Sequence, residues 1–148
     1  MRFLILAIVV LAASAPVNGV QDPNEDVDQM IRTAARPFIN AGFQQAPRAF
    51  YGLLENGQQR ELDISFDPGD FKVLAVCHPR SGCADLDVTL HDLQGREVAR
   101  DPDLHKEVSF VIIEATIRQE QDFKLRVRMA RCTRNPCRYA ITSFTRTR

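Results

Sequence analysis

The sequence predicts a mainly β chain, an antiparallel β-sandwich of seven or eight strands preceded by a short N-terminal helix. Three observations carry that expectation. From about residue 51 onward apolar residues alternate with polar ones, the period of side chains along a half-buried strand. Turn-forming clusters such as Asp67-Pro68-Gly69-Asp70 and Asp101-Pro102-Asp103 separate the runs. No stretch between the runs is long enough for a crossover helix, so neighbouring strands should pair antiparallel.

The runs follow one another in order. Gly52–Leu54 is a lead-in. Leu62, Ile64 and Phe66 alternate with Glu61, Asp63 and Ser65. Phe71–Val76 is almost entirely apolar, as expected of a strand covered on both faces. Leu86, Val88 and Leu90 alternate with Asp85, Asp87, Thr89 and His91, and Leu93-Gln94-Gly95 turns the chain into Arg96–Arg100. Val108–Thr116 comes next, then Phe123–Met129 with Leu125, Val127 and Met129 inward and Lys124, Arg126 and Arg128 outward. Tyr139–Phe144 closes the series.

Before the strands, residues 20–50 read as a helical and irregular arm. Asp22-Pro23-Asn24-Glu25 has the form of a helix start, with an N-cap acceptor and proline at the first helical position. Val27, Met30, Ile31 and Ala34 fall on one face. Arg36-Pro37 should end the helix, because the residue before proline is pushed out of the α region. Phe38–Phe50, with Gly42 and Pro47, reads as an irregular connector. The arm either packs on the sandwich or presents its helix to a partner.

Residues 1–19 have the order of a secretory signal peptide: Met1-Arg2, the apolar run Phe3–Ala13, then small residues. The run of eleven residues is shorter than a membrane span, which needs about 20, so no span is expected after cleavage. An uncleaved anchor is the alternative, because the uncharged stretch reaches Gln21. Pro16 disfavours a cut after Ala15 and moves the expected site to near Gly19. The mature product should therefore be exported, periplasmic or extracellular.

Export decides how the four cysteines are read. Outside the cytosol an even count reads as disulfides. Cys77–Cys83 and Cys132–Cys137 are the favoured pairs, because each brackets a short polar loop. Each small ring would stabilise by roughly 2 kcal/mol in the chain-entropy model, and a long link by about 4, so energy alone leaves the other pairings open. Zinc fits these spacings poorly.

Gly52-Leu53-Leu54, Pro68-Gly69-Asp70-Phe71-Lys72-Val73, Cys83-Ala84-Asp85-Leu86-Asp87-Val88 running to Leu90-His91-Asp92, and Phe123-Lys124-Leu125-Arg126-Val127 resemble the pre-peptidase C-terminal (PPC) domain family of bacterial secreted proteins. The cysteine-bearing segments resemble a stand-alone secreted subgroup of it. The resemblance spans residues 51–148 and implies a jelly-roll-like sandwich with a non-catalytic accessory role, such as surface or substrate binding.

The charged residues, nineteen basic and nineteen acidic, exclude a strongly basic nucleic-acid binder. No Gly-x-Ser-x-Gly, phosphate-binding glycine loop or zinc-hydrolase spacing occurs. Ser81 and His78 share a loop, which is weak support for a small secreted hydrolase. Asp85, Asp87, Asp92, Asp101 and Asp103, near strand ends and turns, are candidate calcium ligands, and Asp85 and Asp87 share a sheet face. Residues 118–148 hold nine basic and two acidic residues, while 22–117 hold nine and seventeen. Lys124, Arg126, Arg128, Arg131, Arg134 and Arg138 thus form either an anion-binding face or one half of cross-strand ion pairs. The partner of such a face would be an acidic protein, a glycan or an anionic envelope surface. The favoured function is a non-catalytic binding module, with a structural or chaperone-like envelope protein acting through its helix as the alternative.

Overall fold

The computed structural model describes residues 22–103 and 107–147. The expected signal peptide, residues 1–19, lies outside the described residues, as does His105. In chain order the elements are α1 (Glu25–Asn40), β1 (Gln44–Gln45), β2 (Phe50–Leu54), β3 (Gln59–Phe66), β4 (Gly69–Cys77), a 3-10 turn (Pro79–Ser81), β5 (Cys83–Asp92), β6 (Glu97–Arg100), β7 (Phe110–Ile117), β8 (Gln121–Cys132) and β9 (Cys137–Arg146). The strands form two antiparallel sheets. One runs β1-β9-β4-β7, with β2 also on β9; the other runs β3-β8-β5-β6. The β-sandwich that the alternation predicts is the fold. The described residues hold nine strands rather than seven or eight: the lead-in Gly52–Leu54 is part of β2, and the short polar β1 adds a further strand on β9.

Between the sheets lies the main core. Phe71, Val73 and Ala75 of β4 and Val111 and Ile113 of β7 meet Leu86, Val88 and Leu90 of β5 and Phe123, Leu125 and Val127 of β8. Phe66, Phe71 and Phe123 fill one end, the first two rings stacking at 4.0 Å. The motif glycines have steric reasons. Gly52 lies directly opposite Tyr139, and a Cβ there would sit 2.5 Å from the tyrosine hydroxyl oxygen. Gly69 adopts φ +148°, and its Cβ would come within 2.6 Å of the Arg146 carbonyl oxygen.

A second core covers the opposite face of β4. Leu74 and Val76 point away from the sandwich and, with Ala140 and Phe144 of β9, pack under Val27, Ile31 and Ala35 of α1. The Tyr51 hydroxyl donates to Asp28, tying β2 to the helix. That bond, with burial, pushes the phenol pKa up to about 12.

Two expectations for the arm need correction. The helix does not stop at Arg36; Pro37 lies inside it and it runs to Asn40. Proline within a helix costs about 3 kcal/mol, but the extra turn sets Phe38 5.2 Å from Phe144 and 6.5 Å from Phe43, edge to face. Packing overrides the local preference. Gly42, at φ +83°, then ends the helix. The helix also begins at Glu25, not Pro23, because the Asp22 carboxylate accepts from Asn24 N–H in a turn ahead of it. Phe38–Phe50 is accordingly helix end, β1 and the start of β2, not an irregular connector throughout.

Ile31 is 4% exposed at the centre of the helix–sheet contact. Ile31→Ala should lower unfolding stability by about 2–4 kcal/mol, read as a drop in melting midpoint with an unchanged far-ultraviolet spectrum at low temperature.

Candidate functional site

Both favoured disulfides form, Cys77–Cys83 and Cys132–Cys137, each with Cα atoms 5.9 Å apart. Their loops clasp one another: Thr133 N–H donates to the Gly82 carbonyl at 2.8 Å, and the Arg134 guanidinium donates to the Arg80 carbonyl at 3.2 Å. His78 caps the 3-10 turn, its Nδ1 accepting from Arg80 N–H at 3.1 Å. Ser81 donates to the His78 carbonyl rather than to its ring.

The six basic residues divide. On the outer face of the four-stranded sheet Lys124 pairs with Asp63 and Arg126 with Glu61, both acids on β3. Arg128 lies 3.5 Å from Asp87 on β5, and Arg131 pairs with Glu107. The register sets Asp63 opposite Lys124 and Glu61 opposite Arg126, so the outward alternation of the two strands produces the pairing. The arginine neighbour holds the Glu61 carboxyl below its ordinary range, and Asp63 holds the Lys124 ammonium above its own. Arg134 and Arg138 differ. They bond to the Arg80 carbonyl and to Asn24 Oδ1 respectively, without an ion pair among the described residues. Both lie near the start of α1 and the 3-10 turn.

The five aspartates also separate. Asp92 ties the β5–β6 turn, accepting from Gln94 N–H and Arg96 N–H and pairing with the Arg96 side chain at 2.7 Å. Those bonds hold its carboxyl below the usual range even though its burial works the other way. Asp85 accepts from Val108 N–H at 3.2 Å, and Asp101 from Asp103 N–H at 2.7 Å. Asp87 and Asp101 are buried, and each has one carboxylate oxygen without a hydrogen-bond partner. Burial raises both carboxyls above the ordinary range, helped by the charge of Asp85 at Asp87 and by the charges of Asp103 and then Asp85 at Asp101. Among the described residues no group of three or more His, Cys, Asp or Glu is arranged to hold a metal ion.

A feature that alternation alone does not disclose lies on the outer face of the five-stranded sheet. Helix α1 lies over β9 and β4 and covers β7 only in part, leaving a groove of about 720 Å³. Met30, Ala34 and Phe38 form its helical wall, Val76 and Ile112 its floor, and Phe110 its outer edge. Phe110 is 51% exposed. At one end stand Asp26, Gln29, His78 and Arg80, with Asp26 Oδ2 3.8 Å from His78 Nδ1. Of the predicted helical stripe Val27 and Ile31 are buried, joined by Ala35, which lies outside it, while Met30 and Ala34 stay partly exposed. The stripe is wider than the sheet it covers. A sequence signal existed in the unbroken Phe110-Val111-Ile112-Ile113, apolar on both strand faces when only one faces the sandwich core.

The raised carboxyls give a signed pH prediction. A carboxyl whose folded-state pKa lies above its unfolded value stabilises most at low pH, and that contribution fades as pH rises through the folded value. At neutral pH Asp101 is therefore a burden on the fold. Asp101→Asn keeps an oxygen for the Asp103 amide and should raise stability by about 1 kcal/mol at pH 7, the gain over wild type shrinking as pH falls toward 4, read by calorimetry. The calcium expectation is checked by melting EDTA-stripped protein with and without millimolar calcium: a bound ion raises the midpoint, and an unchanged midpoint removes the expectation.

No family model and no curated protein matches the chain. Among solved structures, the pre-peptidase C-terminal domain of collagenase from Bacillus anthracis is similar, at 11% identity, over 65% of this chain and 87% of that one, with a TM-score of 0.48.

Proposed function

We propose that the protein is an exported, non-catalytic binding module that takes an apolar ligand in the groove between α1 and β7. The groove carries this reading. Its volume lies within the range of small-molecule sites, and such sites are mostly apolar with a few polar groups at one end. Two disulfides, which persist outside the cytosol, support export. The signal-peptide order of residues 1–19 and the resemblance of residues 51–148 to PPC domains point the same way. No helix among the described residues is long and apolar enough to cross a membrane.

The pairing of Lys124, Arg126, Arg128 and Arg131 with acids turns the reading away from their sheet as the binding face. Exposed, paired charges are worth little to a partner until their own pairs are broken. The alternative in which α1 itself docks on an envelope protein has less to draw on, because the helix commits Val27, Ile31 and Ala35 to the sheet and turns Arg32, Thr33 and Arg36 outward.

Protein recovered outside the cytosol should lack its N-terminal apolar run and weigh four hydrogens less than the fully reduced chain. Titrated with 1-N-phenylnaphthylamine, an apolar dye bright only out of water, it should give one saturable site. Ala34→Trp, which fills the groove, should abolish that site. A dye signal that never saturates, or that survives Ala34→Trp in a folded variant, overturns the binding reading.

A further inference from the structure

We infer that β7 is a self-association edge: two copies of this chain pair their β7 strands antiparallel about a two-fold axis, which joins their five-stranded sheets into one. The inference is independent of what fills the groove.

The first observation is an open row of backbone groups. β7 ends the five-stranded sheet, with β4 as its one partner strand among the described residues. Val76 lies opposite Phe110, so Cys77 lies opposite Ser109, and the Cys77 N–H donates to the Ser109 carbonyl at 2.8 Å. Backbone groups alternate sides along an antiparallel strand. Val111 and Ile113 therefore bond inward to β4, while the N–H and C=O groups of Phe110, Ile112 and Glu114 point away from it. Such a row suits another strand, because a strand edge repeats donors and acceptors at the same spacing.

The second observation is the contrast with the other edges. β3, eight residues long like β7, carries Arg60, Glu61 and Asp63. β6 has four residues, with Glu97 and Arg100 at its ends. The remaining edge is split into the two-residue β1 and the five-residue β2, with Pro47 between them. Charge, brevity and proline are the devices that keep sheet edges apart. β7 has no proline, and its one charge, Glu114, is paired with Lys72 of the neighbouring strand. Phe110 at its start is 51% exposed.

Self-complementarity selects a second copy over an unrelated peptide. Phe110 and Ile112 share the face beside α1. A two-fold axis at Val111 sets Phe110 of each copy opposite Ile112 of the other, two aromatic–aliphatic cross-strand pairs. It also leaves Glu114 beyond the end of the other β7. An axis at Ile112 or Ile113 would set Glu114 opposite Phe110 or Ile112, and one at Glu114 would oppose two carboxylates. A two-fold contact uses the same edge on both copies and so closes at two. The groove floor at Ile112, with Phe110 at its outer edge, then continues into the same residues of the second copy. The contact is short, so the dissociation constant should be about 10–100 μM.

Sedimentation velocity on the exported, disulfide-bonded protein, from about 1 to about 500 μM, tests the inference and should show monomer passing to dimer and nothing larger. Phe110→Lys puts a lysine on an exposed residue of the edge. It should weaken the dimer at least about tenfold with an unchanged melting midpoint, and Phe110→Leu should stay within about threefold of wild type. Leu93→Lys, at an exposed leucine between β5 and β6, should leave the dimer unchanged, which separates the edge from a general loss of apolar surface. The Phe110 and Ile112 amides should exchange at least about threefold more slowly at the top of the concentration range than at the bottom, with Val111 and Ile113 slow at both. A monomer throughout, association that continues past two copies, a dimer untouched by Phe110→Lys, or amides that exchange equally fast at both concentrations overturns the inference. A monomer whose Phe110 and Ile112 amides are protected only by an added apolar strand peptide overturns it in favour of a peptide-binding edge. The dye reads the groove separately: Ala34→Trp, which removes the dye site, should leave the dimer intact.

Discussion

Burial of β4 on both faces is the constraint from which the rest of the molecule follows. One side of this strand gives Phe71, Val73 and Ala75 to the space between the sheets. The other gives Leu74 and Val76 to the underside of α1. A strand with two apolar faces requires a cover on each, and a lone sandwich supplies only one. The helix is therefore a third layer and not an appendage. Removing it would bare Leu74, Val76, Ala140 and Phe144 together, a patch of the kind that drives association. The groove follows from the same requirement. A helix about 10 Å across cannot cover a sheet several strands wide, so covering β9 and β4 leaves β7 partly uncovered.

The four-stranded sheet was legible residue by residue. Leu62, Ile64 and Phe66, or Leu125, Val127 and Met129, alternate against charged neighbours, and a period of two assigns each side chain to a face. The outward charges could then be matched across the register, as Glu61 with Arg126. The edge of the other sheet was illegible for an equally plain reason. Gln44-Gln45 is a two-residue polar strand held by its backbone to β9, and a backbone partner leaves no mark on composition. Pro37 misled because a local rule was weighed without the aromatic contacts of Phe38, which come from residues far along the chain.

The candidate site divides along the same line. The disulfide pairs could be favoured from short local spacing. The aspartates formed two groups, since Asp92 lies across a turn from Arg96 while Asp85 and Asp87 of β5 converge with Asp101 of the loop after β6. Sequence distance alone carries no such information. The division of the basic residues was hidden further still. Arg134 and Arg138 stand close in sequence to the paired arginines of β8, and only the crossing of the chain from β8 to β9 moves them to the other sheet's end.

The order in which the strands are made has its own consequence. β9 is the last strand in chain order, yet it lies inside the five-stranded sheet and bonds to β1, β2 and β4 at once. A chain delivered from its N-terminus must therefore wait for residues 137–146 before that sheet can close, and almost all of its contacts bridge distant parts of the sequence. Until those residues are present, β1, β2 and β4 lack the strand that joins them, so this sheet cannot be completed piece by piece.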